Sequence, residues 1–203
     1  MEFFKTNLTA KILFLAYLAL FTICAINPYA RDVWWAENIP LMIIVAILVF
    51  LYFRGIRFSP LSYLMMSFLI FWHTVGGHYT FERVPFDWFN DFFGFERNMY
   101  DRIGHFSVGF YAFAIMEGIL KYSLVRNRLM AFLFAIFAIS FVAMGYELLE
   151  WQFAVSADSS AGSDFLGAQG DIWDAQKDML MDTLGAILAG ILFLIVRRNK
   201  IAN

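Results

Sequence analysis

The chain has little charge, little proline and almost no cysteine. Only 16% of its 203 residues are charged and four are proline. A soluble domain carries about 25% charged residues, so a surface facing water on all sides is excluded. A single cysteine, Cys24, leaves no internal disulfide and no cysteine-based metal cluster. Three histidines are too few for a histidine-rich di-iron membrane desaturase. Heptad arrays, repeats and low-complexity tracts are absent, and no basic patch suits nucleic acid. What fills the chain is apolar: 61% of residues are hydrophobic, among them 25 phenylalanines. The length accommodates one membrane bundle without a separate soluble domain, so 1–203 reads as a single polytopic membrane domain.

The expected fold is an all-α bundle of six transmembrane helices. The apolar runs lie at about 10–27, 39–54, 58–77, 102–121, 129–150 and 176–196. Lys5, Lys11 and the run Ile12–Ile26 mimic a signal peptide, but no small-x-small cleavage site follows, so the run reads as a first span. Six spans place both termini on one side. That side holds 10 of the 15 basic residues, which makes it cytoplasmic by the positive-inside rule. The opposite, periplasmic or exterior side holds all three histidines and 15 of the 17 acidic residues. Within 85–95, Phe86, Phe89, Phe92 and Phe93 recur at helical spacing opposite Asp87, Asn90 and Asp91. That pattern describes a short amphipathic helix in the outer interface, or an aromatic loop packed on the bundle. Residues 152–170 are small, polar and glycine-rich, and read as an outer connector or a lid; Asp158 and Asp164 are solvated loop residues. No Pro- or Gly-broken helix pair and no inverted repeat is visible, which counts against a secondary transporter. The pairs Gly185/Ala189 and Ala186/Gly190 permit close packing of the last span. Packing within the chain is expected; a dimer interface is the alternative, and monomer and dimer both stay open.

Counting outward from the nearest cytoplasmic charge, His73 and His105 lie roughly 24 Å up, Glu147 roughly 28 Å and Asp182 roughly 22 Å. The hydrocarbon core is about 30 Å thick, so four helices bring ionisable groups to one layer inside its outer boundary. Asp101/His105, Glu147/Glu150 and Asp174/Asp178/Asp182 each share a helix face. Such groups normally face a bundle interior or a wet cavity. So many carboxylates need a metal, several protons, or the cations Arg97, Arg102 and Lys177. The metal-ligating set is His73, His78, Asp101, His105, Glu150, Asp174 and Asp182. Histidine with carboxylate suits zinc, manganese or iron; the oxygen-rich part alone suits magnesium or calcium.

Three functions follow. The first is a metal-dependent enzyme acting on membrane lipid or a lipid-linked substrate at the outer leaflet. There His73, His105 and Asp182 are the foremost ligands, Glu147 or Asp178 is the general base, and Arg102 holds a phosphate. The second is a proton- or cation-coupled transporter. The third is a non-catalytic protein that binds an ion or headgroup.

The strings HTVGGHYTFERVPF, YDRIGHF, GYELLEW and GAQGDIWDAQKDMLMDTLGA resemble the YjdF-like family of bacterial inner-membrane proteins. The resemblance spans nearly the whole chain and implies an inner-membrane location without implying a reaction. More distantly, the chain resembles VanZ-like membrane proteins, associated with glycopeptide resistance. Their acidic-basic pair, His-Phe, Glu and Asp-x-x-x-Asn find counterparts in Asp101, Arg102, His105, Phe106, Glu147 and Asp178. Asp182 stands in the Asn position, with Gly185 after it. That likeness implies a shared helical scaffold and a shared site.

Overall fold

The computed structural model describes residues 2–156 and 168–197, with side chains from Leu8 onward. The helices are α1 (Glu2–Cys24), α2 (Arg31–Phe53), α3 (Pro60–Tyr79), α4 (Asp87–Phe93), α5 (Tyr100–Val108), α6 (Tyr111–Lys121), α7 (Arg128–Ser156) and α8 (Asp174–Val196). No strand occurs among the described residues. Four segments are long and apolar enough to cross a membrane: Arg31–Phe53, Tyr100–Lys121, Arg128–Ser156 and Asp174–Val196.

Several boundaries differ from the apolar runs. α2 starts at Arg31 rather than near 39, because Asp32, Glu37 and Asn38 interrupt the hydrophobic pattern without interrupting the helix. Val33, Trp34, Glu37, Asn38 and Leu41 are buried, so this polar first half packs into the bundle. α7 continues to Ser156 and takes 152–156 from the expected connector; 157–167, with Asp158 and Asp164, lie outside the described residues. Two local irregularities occur in the helices. Pro40 sits inside α2, where it removes a backbone donor. The Tyr100–Lys121 segment is interrupted at Gly109–Phe110, where the bonds Phe110 N to Ser107 O and Ala112 N to Gly109 O tighten the turn to i→i+3 spacing.

The 85–95 segment is helical and packs on the bundle. It forms α4, ended by Gly94 at φ +71. Phe86 is buried and Phe89 packs with it against Trp72 and Tyr100, while Trp88, Phe92 and Phe93 stay exposed.

The core lies where α6, α7 and α8 meet. Ala112, Phe113, Met116, Ala131, Ala135, Ile139, Ala186, Ala189 and Phe193 are buried there. Small residues let these backbones approach closely. Gly185, Ala186, Ala189 and Gly190 are all buried within the chain, which answers where the small-residue stripe packs. The tightest point is Gly109 against Gly185: a Cβ on Gly185 would fall 2.0 Å from the Phe106 carbonyl oxygen.

At the opposite end from the acidic layer, Glu117 ties three helices together. It accepts from the Ser59 backbone N–H at 2.9 Å, the Ser59 hydroxyl at 2.8 Å, the Ser62 hydroxyl and Arg197 Nη2 at 3.3 Å. Ser59 is the N-cap of α3 and Pro60 opens it, so Glu117 completes that helix start from α6. Hydrogen bonds to a charged group contribute about 1.5–3 kcal/mol. Glu117→Ala is expected to lower the thermal unfolding midpoint of the detergent-purified protein by several degrees and leave the outer layer intact. An unchanged midpoint would show that the tie contributes nothing.

Candidate functional site

The charged groups at the acidic end of the bundle divide into two tiers. In the first, three cations meet three carboxylates. Arg102, buried on α5, reaches Asp174 Oδ1 at 2.5 Å, the Asp174 carbonyl at 3.0 Å and Asp171 Oδ2 at 3.3 Å. Its Nη1 also lies against Asp178 Oδ1, as an ion pair rather than an aligned hydrogen bond. Arg97 reaches Asp174 at 2.5 Å and Lys177 reaches Asp171 at 2.6 Å. The Lys177 hydrogen bond, followed by the Trp173 backbone N–H, holds the Asp171 carboxyl below its usual range. This tier balances itself.

The structure places two of the expected site residues in this tier. Arg102 was expected to hold a phosphate, but its donors are committed to Asp171, Asp174 and Asp178. Asp174 was expected among the metal ligands, but Arg97 and Arg102 both claim its Oδ1.

The second tier lies further into the bundle. His105 Nδ1 is 3.2 Å from Asp182 Oδ2. Its Nε2 faces Asp101 Oδ1 at 3.7 Å and Asp178 Oδ1 at 3.9 Å. Carboxylates only accept at neutral pH, so Nδ1 carries a proton for Asp182. Nε2 is then an imidazolium N–H or a lone pair aimed between two carboxylates. A bare lone pair there would be repelled, so this nitrogen calls for a proton or a cation. One donor atom from each of Asp101, His105 and Asp178 can be chosen so that all lie within 4.8 Å of one another, the spread of a metal-ligating group. Asp182 touches the other ring nitrogen, so it orients the imidazole and is not placed as a direct ligand beside Nε2.

Glu147 and Glu150, one turn apart on α7, flank this group. Glu147 Oε1 and Asp182 Oδ1 are buried and have no hydrogen-bond partner among the described residues. Glu150 lines a cavity shared with Asp101, His105 and Asp182.

His73 lines the same cavity, and His78 is placed elsewhere. His73 turns its Nε2 to the Glu37 carbonyl at 3.0 Å and to Glu37 Oε2 at 3.2 Å. Two acceptors at one nitrogen make it the protonated one, so that nitrogen is not presented to a metal. His78 bonds the Cys24 carbonyl through Nδ1 at 2.9 Å, and its own carbonyl accepts from Tyr29 N–H. It joins α3 to the α1–α2 turn and is not brought to the His105 group.

Sequence reasoning missed Glu37 and Tyr146. Glu37 is buried on α2, and Tyr146 donates to its Oε2 at 3.1 Å. The signal was periodicity. Glu37, Leu41 and Ile44 form one stripe, and Ala143, Tyr146 and Glu150 another, and both line the cavity.

Five carboxylates make up this inner tier: Glu37, Asp101, Glu147, Glu150 and Asp182. No arginine or lysine is paired with any of them in the described contacts. With all five ionised, and His73 and His105 both protonated, negative charges would outnumber positive ones by three. Buried charge of one sign is costly.

Residues 9–199 match the family described as "Predicted membrane protein (DUF2238)". The chain is 37% identical over 194 residues to "Inner membrane protein YjdF" of Escherichia coli (strain K12), covering 92% of this chain and 88% of that protein. No solved structure matches. These matches carry the YjdF side of the sequence resemblance and not its VanZ-like side. The chain belongs to the DUF2238 family of membrane proteins.

Proposed function

We propose that this is a six-span inner-membrane protein, both termini cytoplasmic, that holds one divalent cation in the outer half of the bilayer between Asp101, His105 and Asp178. The single observation that carries the reading is the unbalanced inner tier around His105 Nε2, beside a neighbouring tier that balances its own charge. The six-span count is supported by the lengths of α1 and α3, 23 and 20 residues. A helix of 20 residues covers about 30 Å. The orientation is supported by the basic residues gathered at the opposite end.

One nitrogen and two carboxylates suit zinc, manganese or iron better than magnesium or calcium. Such a cation supplies a Lewis acid and an acidified water at membrane depth. The reaction this supports is hydrolysis or transfer on a lipid or lipid-linked substrate of the outer leaflet. Glu147, with its unpartnered Oε1, is the base, and Asp182 positions His105. Asp178 belongs to the cation group, held between it and Arg102. The apolar core around Phe113, Met116 and Phe193 continues past the layer, which favours an enzyme or a binding protein over a transporter.

Elemental analysis of the detergent-purified chain tests this. About one zinc, manganese or iron per chain is expected, lost in His105→Ala. Asp182→Asn should weaken metal affinity by roughly 10–100-fold, the effect typical of an orienting partner. Full metal occupancy in His105→Ala would remove His105 from the centre.

A further inference from the structure

A cavity of about 110 Å³ lies between α2, α3, α5, α7 and α8. Its volume fits about four water-sized groups. Glu37, His73, Asp101, His105, Tyr146, Glu150 and Asp182 are its titratable lining, contributed by all five helices. The buried, unpartnered Asp182 Oδ1 belongs to this lining residue set.

The two ends of the cavity differ. Along α2 the lining passes from Glu37 through Leu41 to Ile44. Along α7 it passes from Glu150 through Tyr146 to Val142. Both runs change from polar to aliphatic over about 10–12 Å of helix rise. In the proposed orientation both run from the outer boundary toward the bilayer centre. The cavity is therefore polarised along the membrane normal.

It also reaches lipid sideways. α2 and α7 are not closely packed on one another, and the Tyr146–Glu37 hydrogen bond bridges them. Val142 lines the cavity and is 57% exposed, so the lining continues onto the outer surface of the bundle at that seam.

We infer that this cavity is a lateral binding site for an outer-leaflet lipid with an amine headgroup, entering between α2 and α7. The inference rests on the proposed placement of the site in the outer half of the bilayer. An ammonium offers three donors and no acceptor, which matches a lining rich in carboxylates. With the cation of the proposed centre on Asp101 and Asp178, Glu37, Glu150 and Asp182 receive the ammonium. The first methylenes lie beside Leu41, Ile44 and Val142, and the chain continues into the bilayer along the seam. A bare phosphate suits the cavity poorly. Arg102, the buried guanidinium nearby, is outside its lining and committed to Asp174 and Asp178.

The test uses the full chain in phosphatidylcholine vesicles, with a photoactivatable hexadecylamine and the chain-matched photoactivatable fatty acid. The amine should label α2 and the second half of α7 roughly tenfold more than the acid, a factor ordinary for one well-placed charge interaction. Glu37→Gln with Glu150→Gln should reduce that preference. Val142→Trp, at an exposed position that folding tolerates, should block labelling by filling the mouth. Equal labelling by the two probes, or wild-type labelling in Val142→Trp, overturns the lipid site. Metal content is measured on the same preparations. Selective amine labelling without bound metal sinks the metal centre alone, and bound metal without selective labelling sinks the lipid site alone.

Discussion

Arg102→Ala is expected to destabilise the acidic end of the bundle more than any other single charge deletion. The guanidinium is 4% exposed and joins Asp171, Asp174 and Asp178 across α5 and α8. Its removal leaves Asp174 and Asp178 buried, four residues apart on one helix face, with Arg97 alone to answer the first of them. Breaking a buried ion pair by deleting one partner costs about 3–5 kcal/mol. For a chain of this length that corresponds to a drop in unfolding midpoint of roughly 10 °C. Arg102→Ala combined with Asp178→Asn should recover part of the loss, because one stranded charge is gone. A double variant no more stable than the single one would mean that Arg102 acts through packing. Acid should weaken the same network through Asp171. Its folded carboxyl is held below the ordinary range, so its contribution is full above the unfolded carboxylate pKa and fades as pH falls through the lower folded value.

Gly185→Ala is expected to prevent the native packing of α8 altogether. The added Cβ would lie 2.0 Å from the Phe106 carbonyl oxygen, and the reciprocal change at Gly109 would put one 2.1 Å from Ala186 N. These neighbours are backbone atoms within helices, so relief needs a whole helix to move rather than a rotamer change. Overpacking with room to adjust costs about 1–3 kcal/mol, and here a larger loss is expected. Because His105 and Asp182 lie about one turn from this crossing, separating α5 from α8 also parts the Nδ1–Asp182 contact. Size-exclusion profiles and metal content of Gly185→Ala beside Gly145→Ala check this, since a Cβ at Gly145 meets nothing within 4 Å. Equal yield and metal content in both variants would refute the crossing as a constraint.

Much of the helical architecture was legible from the apolar runs. α6, the early part of α7 and α8 are apolar enough for pattern alone to find them. The outer half of α2 was not legible, because Asp32, Glu37 and Asn38 look like loop residues to a hydropathy window. Glu37 and Asn38 are buried in the bundle as part of the helix, while Asp32 stays exposed at its start. Within the layer, i,i+4 spacing correctly paired Asp101 with His105 on one face. It did not reveal that Asp174 belongs to Arg97 and Arg102, or that His73 belongs to Glu37, since those partners come from other helices. His78 looked equivalent to His73 in sequence, yet its ring meets a backbone carbonyl.

Composition and periodicity determined by themselves that this is a helical membrane protein with acid and histidine concentrated toward one end. Those properties depend on the apolar surface each helix must cover and on which of its residues share a face, and both are local. Tertiary structure alone decided how the layer divides into a balanced arginine tier and an unbalanced histidine tier. That division depends on which helices cross at Gly109 and Gly185 and on distances of 2.5–3.9 Å between side chains up to 109 residues apart. Charge pairing is steep in distance, so it is settled by helix packing rather than by spacing along the chain.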